Sequence, residues 1–178
     1  FDKHLADRVD VPSFARYLAV QNLLLNFDDM SGPGRNYYLW YDLKSRKFTV
    51  VGWDYNLTFS GNATQGPHDA TTMGGGRFPQ PEGGQPPGGA QPPGGGQGRP
   101  GGFGGFGGGG HKLKDRFLAS AAFTTTYDDA YRELYRRMFA GAAALTSVDR
   151  IVSVLATVDG SDRQKATTEA DQLRTVIR

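Results

Sequence analysis

Four polar side chains in the first third of the chain have the types and the order of a phosphoryl-transfer site. Two neighbouring carboxylates, Asp28 and Asp29, are followed by the amide Asn36 and then by the carboxylate Asp54, in the run NFDDMSGPGRNYYLWYDLKSRKFTVVGWD. Phosphoryl transfer needs a group that positions the attacking hydroxyl and oxygen ligands that hold Mg²⁺ against the phosphates. The order Asp, Asn, Asp therefore indicates one carboxylate for the nucleophile, and an amide and a carboxylate for the metal.

A helix and a loop are predicted to position the two neighbouring carboxylates. Asp10 is a favourable N-cap, and a proline falls in the first turn after it. Apolar residues then recur near helical spacing with polar Arg16 and Gln21 between them, which predicts a helix over residues 11–26. The stretch 26–35 is rich in Asp, Gly and Pro and predicts a loop. Both acidic residues therefore lie on a loop directly after a helix.

The amide and the third carboxylate flank a predicted β-hairpin. Residues 36–42 and 48–54 are rich in aromatic and β-branched side chains, which are typical of strands. The polar run from Lys44 to Lys47 predicts the turn between them. Asn36 then opens the first strand and Asp54 ends the return strand. The aromatic side chains are expected to pack in the core or on a face of the hairpin.

The second half of the chain combines a low-complexity insert with a helical block. Residues 74–110 are almost only Gly, Pro and Gln and contain 19 of the 26 glycines, so we predict disorder there. The foldable blocks 1–73 and 111–178 are then expected to form one α+β domain, with the catalytic-loop helix and hairpin in the first block. Amphipathic patterns predict helices over 111–123, over 126–139, over 147–158 with Thr146 or Ser147 as cap, and over 163–177.

Composition excludes several classes of function. The net charge is only +2, and basic residues form no run or stripe with aromatics, so nucleic-acid binding is not expected. The absence of cysteine excludes disulfides and thiolate metal sites, and the three histidines are scattered. No apolar run approaches the ~18 residues of a membrane span. The sequence opens without Met, so we expect it to be a fragment of a longer chain.

Several runs resemble the spore coat protein H (CotH) kinase family. They are DVPSFARYLAVQN, NFD, NYYLWYD and GWDYNLTF in the first block, and KDRFLASAAFTTTYDDAYRELYRRMF in the second. The resemblance covers most of residues 10–73 and 111–158. It implies an atypical protein-kinase-like fold, transfer of phosphate from ATP with Mg²⁺ to Ser or Thr of a protein substrate, and a location in the spore coat or at the cell surface.

The resemblance also implies a role for individual residues. Asp54 would bind the magnesium that bridges the ATP phosphates, and Asn36 would be a second ligand of that metal. Asp28 would accept or orient the substrate hydroxyl. Its neighbour Asp29 is the alternative for this catalytic role.

Two further residues complete the predicted site. Asn56 would assist the metal site, and Trp53 would pack near the nucleotide. Each polar residue of the site also has a structural interpretation, because Asp and Asn are common in turns and at strand ends. The family resemblance and the WDYN context favour the functional interpretation.

The sequence departs from the kinase pattern in one respect. The N-terminal lobe, which supplies a glycine-rich cover and a phosphate-binding lysine in kinases, has no counterpart in the sequence, so we expect the isolated 178-residue chain to be nearly inactive. Two other functions remain open. One is a non-catalytic coat or surface protein that keeps the kinase-like fold for interactions, and the other is a cell-wall or glycan-binding module that uses exposed hairpin aromatics.

Overall fold

The computed structural model describes residues 1–69 and 110–178, which form an α+β arrangement. The predicted disordered insert 74–110 lies, except for its last residue, outside the described residues. A five-residue π-helical segment, Arg136–Ala140, directly follows the helix that ends at Tyr135. The elements in chain order are α1 Val11–Leu23, β1 Tyr37–Asp42, β2 Lys47–Gly52, α2 Lys112–Leu118, α3 Ala121–Tyr135, α4 Ala143–Leu155 and α5 Arg163–Ile177.

Helix α1 begins as its sequence predicts and ends earlier. Asp10 is the N-cap, and its Oδ1 accepts a hydrogen bond from the backbone N–H of Ser13 at 3.1 Å. The helix stops at Leu23 and not at residue 26, because Leu25 adopts a left-handed backbone with φ of 50°. Gln21 was expected between the apolar positions as a polar residue, but it is buried on the face that packs into the protein.

The hairpin pairs β1 with β2 in antiparallel register, from Tyr37 opposite Gly52 to Asp42 opposite Lys47. Both strands are shorter than predicted. β2 ends at Gly52 because the chain bends at Asp54, where φ is 49°. The hairpin is attached to the rest of the protein by backbone hydrogen bonds between β2 and the segment that precedes α1.

The helices after the insert differ from the sequence prediction at several places. α3 begins at Ala121 and not at residue 126, and it gives way to the π-helical segment after Tyr135. A single helix over 111–123 was predicted, but Ser120 interrupts it: its Oγ accepts the N–H of Ala122 at 3.3 Å and starts α3. The predicted cap of the next helix is also wrong, because α4 begins four residues before Ser147, whose hydroxyl instead donates to the Ala143 carbonyl.

Helix α5 spans Arg163–Ile177 as predicted, with Asp162 as its N-cap. Among the described residues, no single helix is long and apolar enough to cross a membrane, although the bent pair Ala121–Ala140 and Ala143–Leu155 passes that test together. The apolar character of this pair is concentrated in α4, because the second half of α3 has four charged residues.

The hydrophobic core contains side chains from both blocks of the sequence. Phe14 of α1 meets Phe117 of α2 edge to face, with ring centroids 5.0 Å apart, and Phe117 stacks on Phe123 of α3 at 4.8 Å. Phe14 and Phe117 are at most 1% exposed. Burial of each ring stabilises the fold by about 1.5–3 kcal/mol. The loop and the hairpin are therefore held on a base to which residues on both sides of the insert contribute.

Candidate active site

Asp28 is held in place by three hydrogen bonds. Its Oδ1 accepts the backbone N–H of Gly34 at 2.5 Å, and its Oδ2 accepts the Asn36 side-chain Nδ2–H at 2.9 Å. Its own backbone N–H donates to Asn26 Oδ1 at 3.2 Å. The residue is only 6% exposed. Two residues of the predicted site, Asp28 and Asn36, are thus in direct contact.

Two glycines of the loop make this arrangement possible. A Cβ atom on Gly34 would lie 2.6 Å from Asp28 Oδ2 and 3.0 Å from Asn36 Nδ2. A Cβ on Gly32 would lie 2.6 Å from Asp28 Oδ1. All three separations are below van der Waals contact, so the loop can close around the carboxylate only where side chains are absent.

A chain of buried amides supports the loop from α1. Asn26 Nδ2–H donates to Gln21 Oε1 at 2.7 Å, and Gln21 Nε2–H donates to the Tyr55 hydroxyl at 3.1 Å. Gln21 and Asn26 are 2% and 1% exposed. Burial raises the pKa of Tyr55, so its hydroxyl remains protonated. Sequence reasoning missed this chain, although a lone Gln at the spacing of an apolar helix face was a signal for it.

Asp29 has different partners from its neighbour. Its Oδ1 accepts the backbone N–H of Ser31 at 2.7 Å, and its Oδ2 forms an ion pair with Lys114 Nζ of α2. Asp29 is 2% exposed, and the Lys114 side chain is 18% exposed. The negative charge of Asp29 is therefore compensated from the second block of the sequence, whereas the groups within residues 1–69 and 110–178 that donate to the Asp28 carboxylate are neutral.

Asp54 lies next to the Asn36 end of the hairpin. The carbonyl of Asn36 accepts the backbone N–H of Trp53 at 3.2 Å, which fixes the residue before Asp54 beside Asn36. The Asp54 side chain is exposed, and its Oδ1 accepts the backbone N–H of Asn56 at 3.4 Å. Asn56 is itself exposed. Among the predicted site residues, Asp28 and Asn36 meet by side chains, and Trp53 contacts Asn36 through the backbone. Asn56 contacts the Asp54 side chain, and Asp29 pairs with Lys114 instead.

An exposed aromatic pair stands at the same end of the hairpin. The rings of Tyr38 and Trp53 have centroids 5.6 Å apart at an interplanar angle of 69°. The two residues are 56% and 58% exposed. Large aromatic rings that remain this exposed beside polar groups are available for contact with a flat ligand.

The oxygen donors at this end are of the type that magnesium binds. Asn36 uses its amide nitrogen for Asp28, which leaves its Oδ1 as the side-chain atom that could bind a metal. Within residues 1–69 and 110–178, no group of three or more His, Cys, Asp or Glu side chains is placed to hold a metal. Mg²⁺ commonly takes one or two protein oxygens and completes its shell with water and substrate phosphates. The amide oxygen of Asn36 and the carboxylate of Asp54 are donors of the chemical type that this mode of binding uses.

Comparison with protein families identifies one match. The family model described as CotH kinase protein matches residues 1–177. No curated protein and no solved structure matches the chain. The match spans both blocks of the sequence, and it includes the loop, the hairpin and all five helices.

Proposed function

The chain belongs to the CotH kinase family, and from this premise we propose that it transfers the γ-phosphate of ATP to a Ser or Thr hydroxyl of a protein substrate. Family membership supports a kinase-like enzyme. The observation that supports the finer proposal is the 2.9 Å hydrogen bond between Asp28 and Asn36, because it joins a carboxylate suited to the nucleophile to an amide suited to the metal. We also propose that the helices and the hairpin are arranged as in a protein kinase.

Asp28 is the proposed residue that positions the nucleophile. A carboxylate has about four lone-pair sites, and the two side-chain hydrogen bonds of Asp28 leave lone pairs that could accept the substrate hydroxyl. The hydroxyl oxygen forms the new bond to the γ-phosphorus, the bond to the β–γ bridging oxygen breaks, and ADP leaves with that electron pair. The hydroxyl proton passes to Asp28. Asp29 is less suited to this step because Lys114 already compensates its charge.

Asn36 and Asp54 are the proposed ligands of Mg²⁺, and bound Mg²⁺ supplies neutralisation of the phosphate charge. Asn56 orients Asp54 through its backbone N–H. Trp53, together with Tyr38, offers aromatic surface to the nucleotide at the same end of the hairpin. Protein substrates in the spore coat or at the cell surface are the proposed partners, by family membership.

Phosphate transfer by the full-length protein tests this function. The probe is [γ-³²P]ATP with Mg²⁺, and the acceptors are the protein's own Ser and Thr residues and dephosphorylated casein. We expect Mg²⁺-dependent labelling that falls at least about 100-fold in Asp54→Asn, since charge stabilisation at the phosphates is lost. The matched control is Asp42→Asn at the far end of the hairpin, where the carboxylate accepts hydrogen bonds from the turn residues Lys44 and Ser45. Equal labelling by wild type and a folded Asp54→Asn variant would overturn the proposal.

One observation favours glycan binding as a second candidate function. Trp40 is 66% exposed on the same hairpin face as Tyr38, because alternate residues of a strand share a face. Exposed aromatic rings in a row can stack on sugar rings. A pull-down with purified cell-wall glycan, compared between wild type and Trp40→Ala, tests this candidate: binding that is lost in the variant supports it, and binding that is absent in the wild type excludes it for that glycan.

A further inference from the structure

The start of α2 lies against the loop that contains Asp29. The backbone N–H of His111 donates to Ser31 Oγ at 3.3 Å, and His111 Nε2 lies 3.1 Å from the hydroxyl of Tyr37. One helical turn later, Lys114 forms the ion pair with Asp29. Three separate contacts therefore join this turn to the loop and to the first residue of β1, across 74 to 85 residues of sequence.

The ion pair between Lys114 and Asp29 is the most enclosed one among the described residues. The Lys114 and Asp29 side chains are 18% and 2% exposed. In every other ion pair there, at least one side chain is more than half exposed. An enclosed pair differs from a surface pair because removal of one partner leaves the other charge buried without compensation. The loop therefore depends on Lys114 in a way that it does not depend on surface lysines.

The effect of Lys114 reaches the proposed catalytic carboxylate through the backbone. Asp29 Oδ1 holds the N–H of Ser31, and the Asp29 carbonyl accepts the N–H of Gly32 at 3.0 Å. These two bonds form the turn that brings the Gly34 N–H to Asp28. Without Lys114, the Asp29 carboxylate would be stabilised by rotation toward water. That rotation would open the turn and release the Gly34 N–H from Asp28.

We propose that Lys114 is a positioning residue: by compensating Asp29 it keeps residues 28–34 in the conformation in which Asp28 meets Asn36. This inference rests on the proposed function for its effect on rate, but its effect on the loop is independent of catalysis. Lys114 touches no reacting atom in this account. It acts through Asp29 alone, so its role differs from that of a phosphate-binding lysine, which would change the affinity for ATP directly.

Amide hydrogen exchange of residues 28–34 in the full-length protein without ATP tests the effect on the loop. We expect Lys114→Met to speed exchange of the Gly34 amide at least about 10-fold, and Lys114→Arg to restore protection, since Arg keeps the charge. Lys112→Met is the matched control, because Lys112 is an exposed lysine of the same helix. Unchanged exchange in a folded Lys114→Met variant would overturn the proposal, whether or not the protein proves to be a kinase.

Kinetics then separates positioning from phosphate binding. We expect Lys114→Met to lower kcat roughly 10- to 100-fold at nearly unchanged KM for ATP, because misplacement of a catalytic group costs rate. The double variant Asp29→Asn, Lys114→Met removes both charges of the ion pair and so leaves no uncompensated charge at position 29, and it should therefore recover most of the lost rate. A raised KM for ATP that persists in the double variant would contradict positioning. If the wild type transferred no phosphate, the proposed kinase function would be refuted. The hydrogen-exchange experiment would still decide whether Lys114 positions the loop.

Discussion

The two halves of the candidate site differ in how the free protein holds them. On the loop side, Asp28 is buried, and hydrogen bonds fix both of its carboxylate oxygens. On the hairpin side, Trp53, Asp54 and Asn56 are exposed, and a backbone N–H at 3.4 Å holds Asp54 Oδ1. One half is preorganised by the fold, and the other half is open to a ligand. We infer that nucleotide and metal bind to a surface that is incomplete without them, opposite a carboxylate that is already in position.

The preorganised half should be the more sensitive one to added volume. In Gly34→Ala the new Cβ would meet Asp28 Oδ2 at 2.6 Å, so the loop must shift or the carboxylate must turn. We expect a loss of about 1–3 kcal/mol in the free energy of unfolding and a fall in kcat of roughly 10- to 100-fold. Urea denaturation and initial-rate kinetics measure the two effects.

The control for this change is Gly141→Ala, where the nearest atom to a new Cβ lies at 3.6 Å, an ordinary contact. This substitution should leave both kcat and stability nearly unchanged. If Gly34→Ala behaved like Gly141→Ala, the loop would not be closed tightly around Asp28. The claim that the fold preorganises this carboxylate would then be wrong.

The buried amide chain beneath the loop should affect stability more than catalysis. Gln21→Leu leaves the Asn26 Nδ2–H group and the Tyr55 hydroxyl without their partner. We expect a loss of about 1–3 kcal/mol in the free energy of unfolding, because the Asn26 amide is buried and would bear its desolvation penalty without a partner. Gln164→Leu, at an exposed position of α5, is the comparison for the change in side-chain type. Equal stability of the two variants would show that the hydrogen bonds of Gln21 do not support the loop.

The open half should contribute least to the stability of the free protein. Asp54→Asn removes an exposed charge and keeps an oxygen that can accept the Asn56 N–H. We expect a change within about 0.5 kcal/mol in the free energy of unfolding without ligand. The same variant should lose most of the increase in Tm that Mg²⁺ and ATP together give the wild type. A large loss of stability without ligand would mean that Asp54 is a structural residue.

Local features of the fold could be predicted from sequence, whereas contacts between distant segments could not. The Asp10 cap and the bounds of α5 follow from residues within one helical turn, and the structure confirms them. The break at Ser120 was missed because a serine inside an amphipathic pattern is compatible both with a helix interior and with a cap. Local sequence does not decide between these two positions.

The candidate site shows the same division. Asp28 and Asn36 are eight residues apart, and their contact agrees with the order of types that suggested a site. Lys114 lies 85 residues from Asp29, beyond the low-complexity insert, and nothing in its surrounding sequence distinguishes it from Lys112. The pair forms because both blocks pack into one core, and the sequence around Lys114 does not encode that packing.

The most direct test of the account is single-turnover phosphate transfer by Asp28→Asn at saturating Mg²⁺ and ATP, in the full-length protein. Asn has nearly the same size as Asp, but its amide cannot accept the hydroxyl proton, and its NH₂ group must face a donor from Gly34 or from Asn36. The account predicts that the Mg²⁺- and ATP-induced rise in Tm is retained while the transfer rate falls about 100- to 10,000-fold. A folded Asp28→Asn protein that transfers phosphate at the wild-type rate would contradict it.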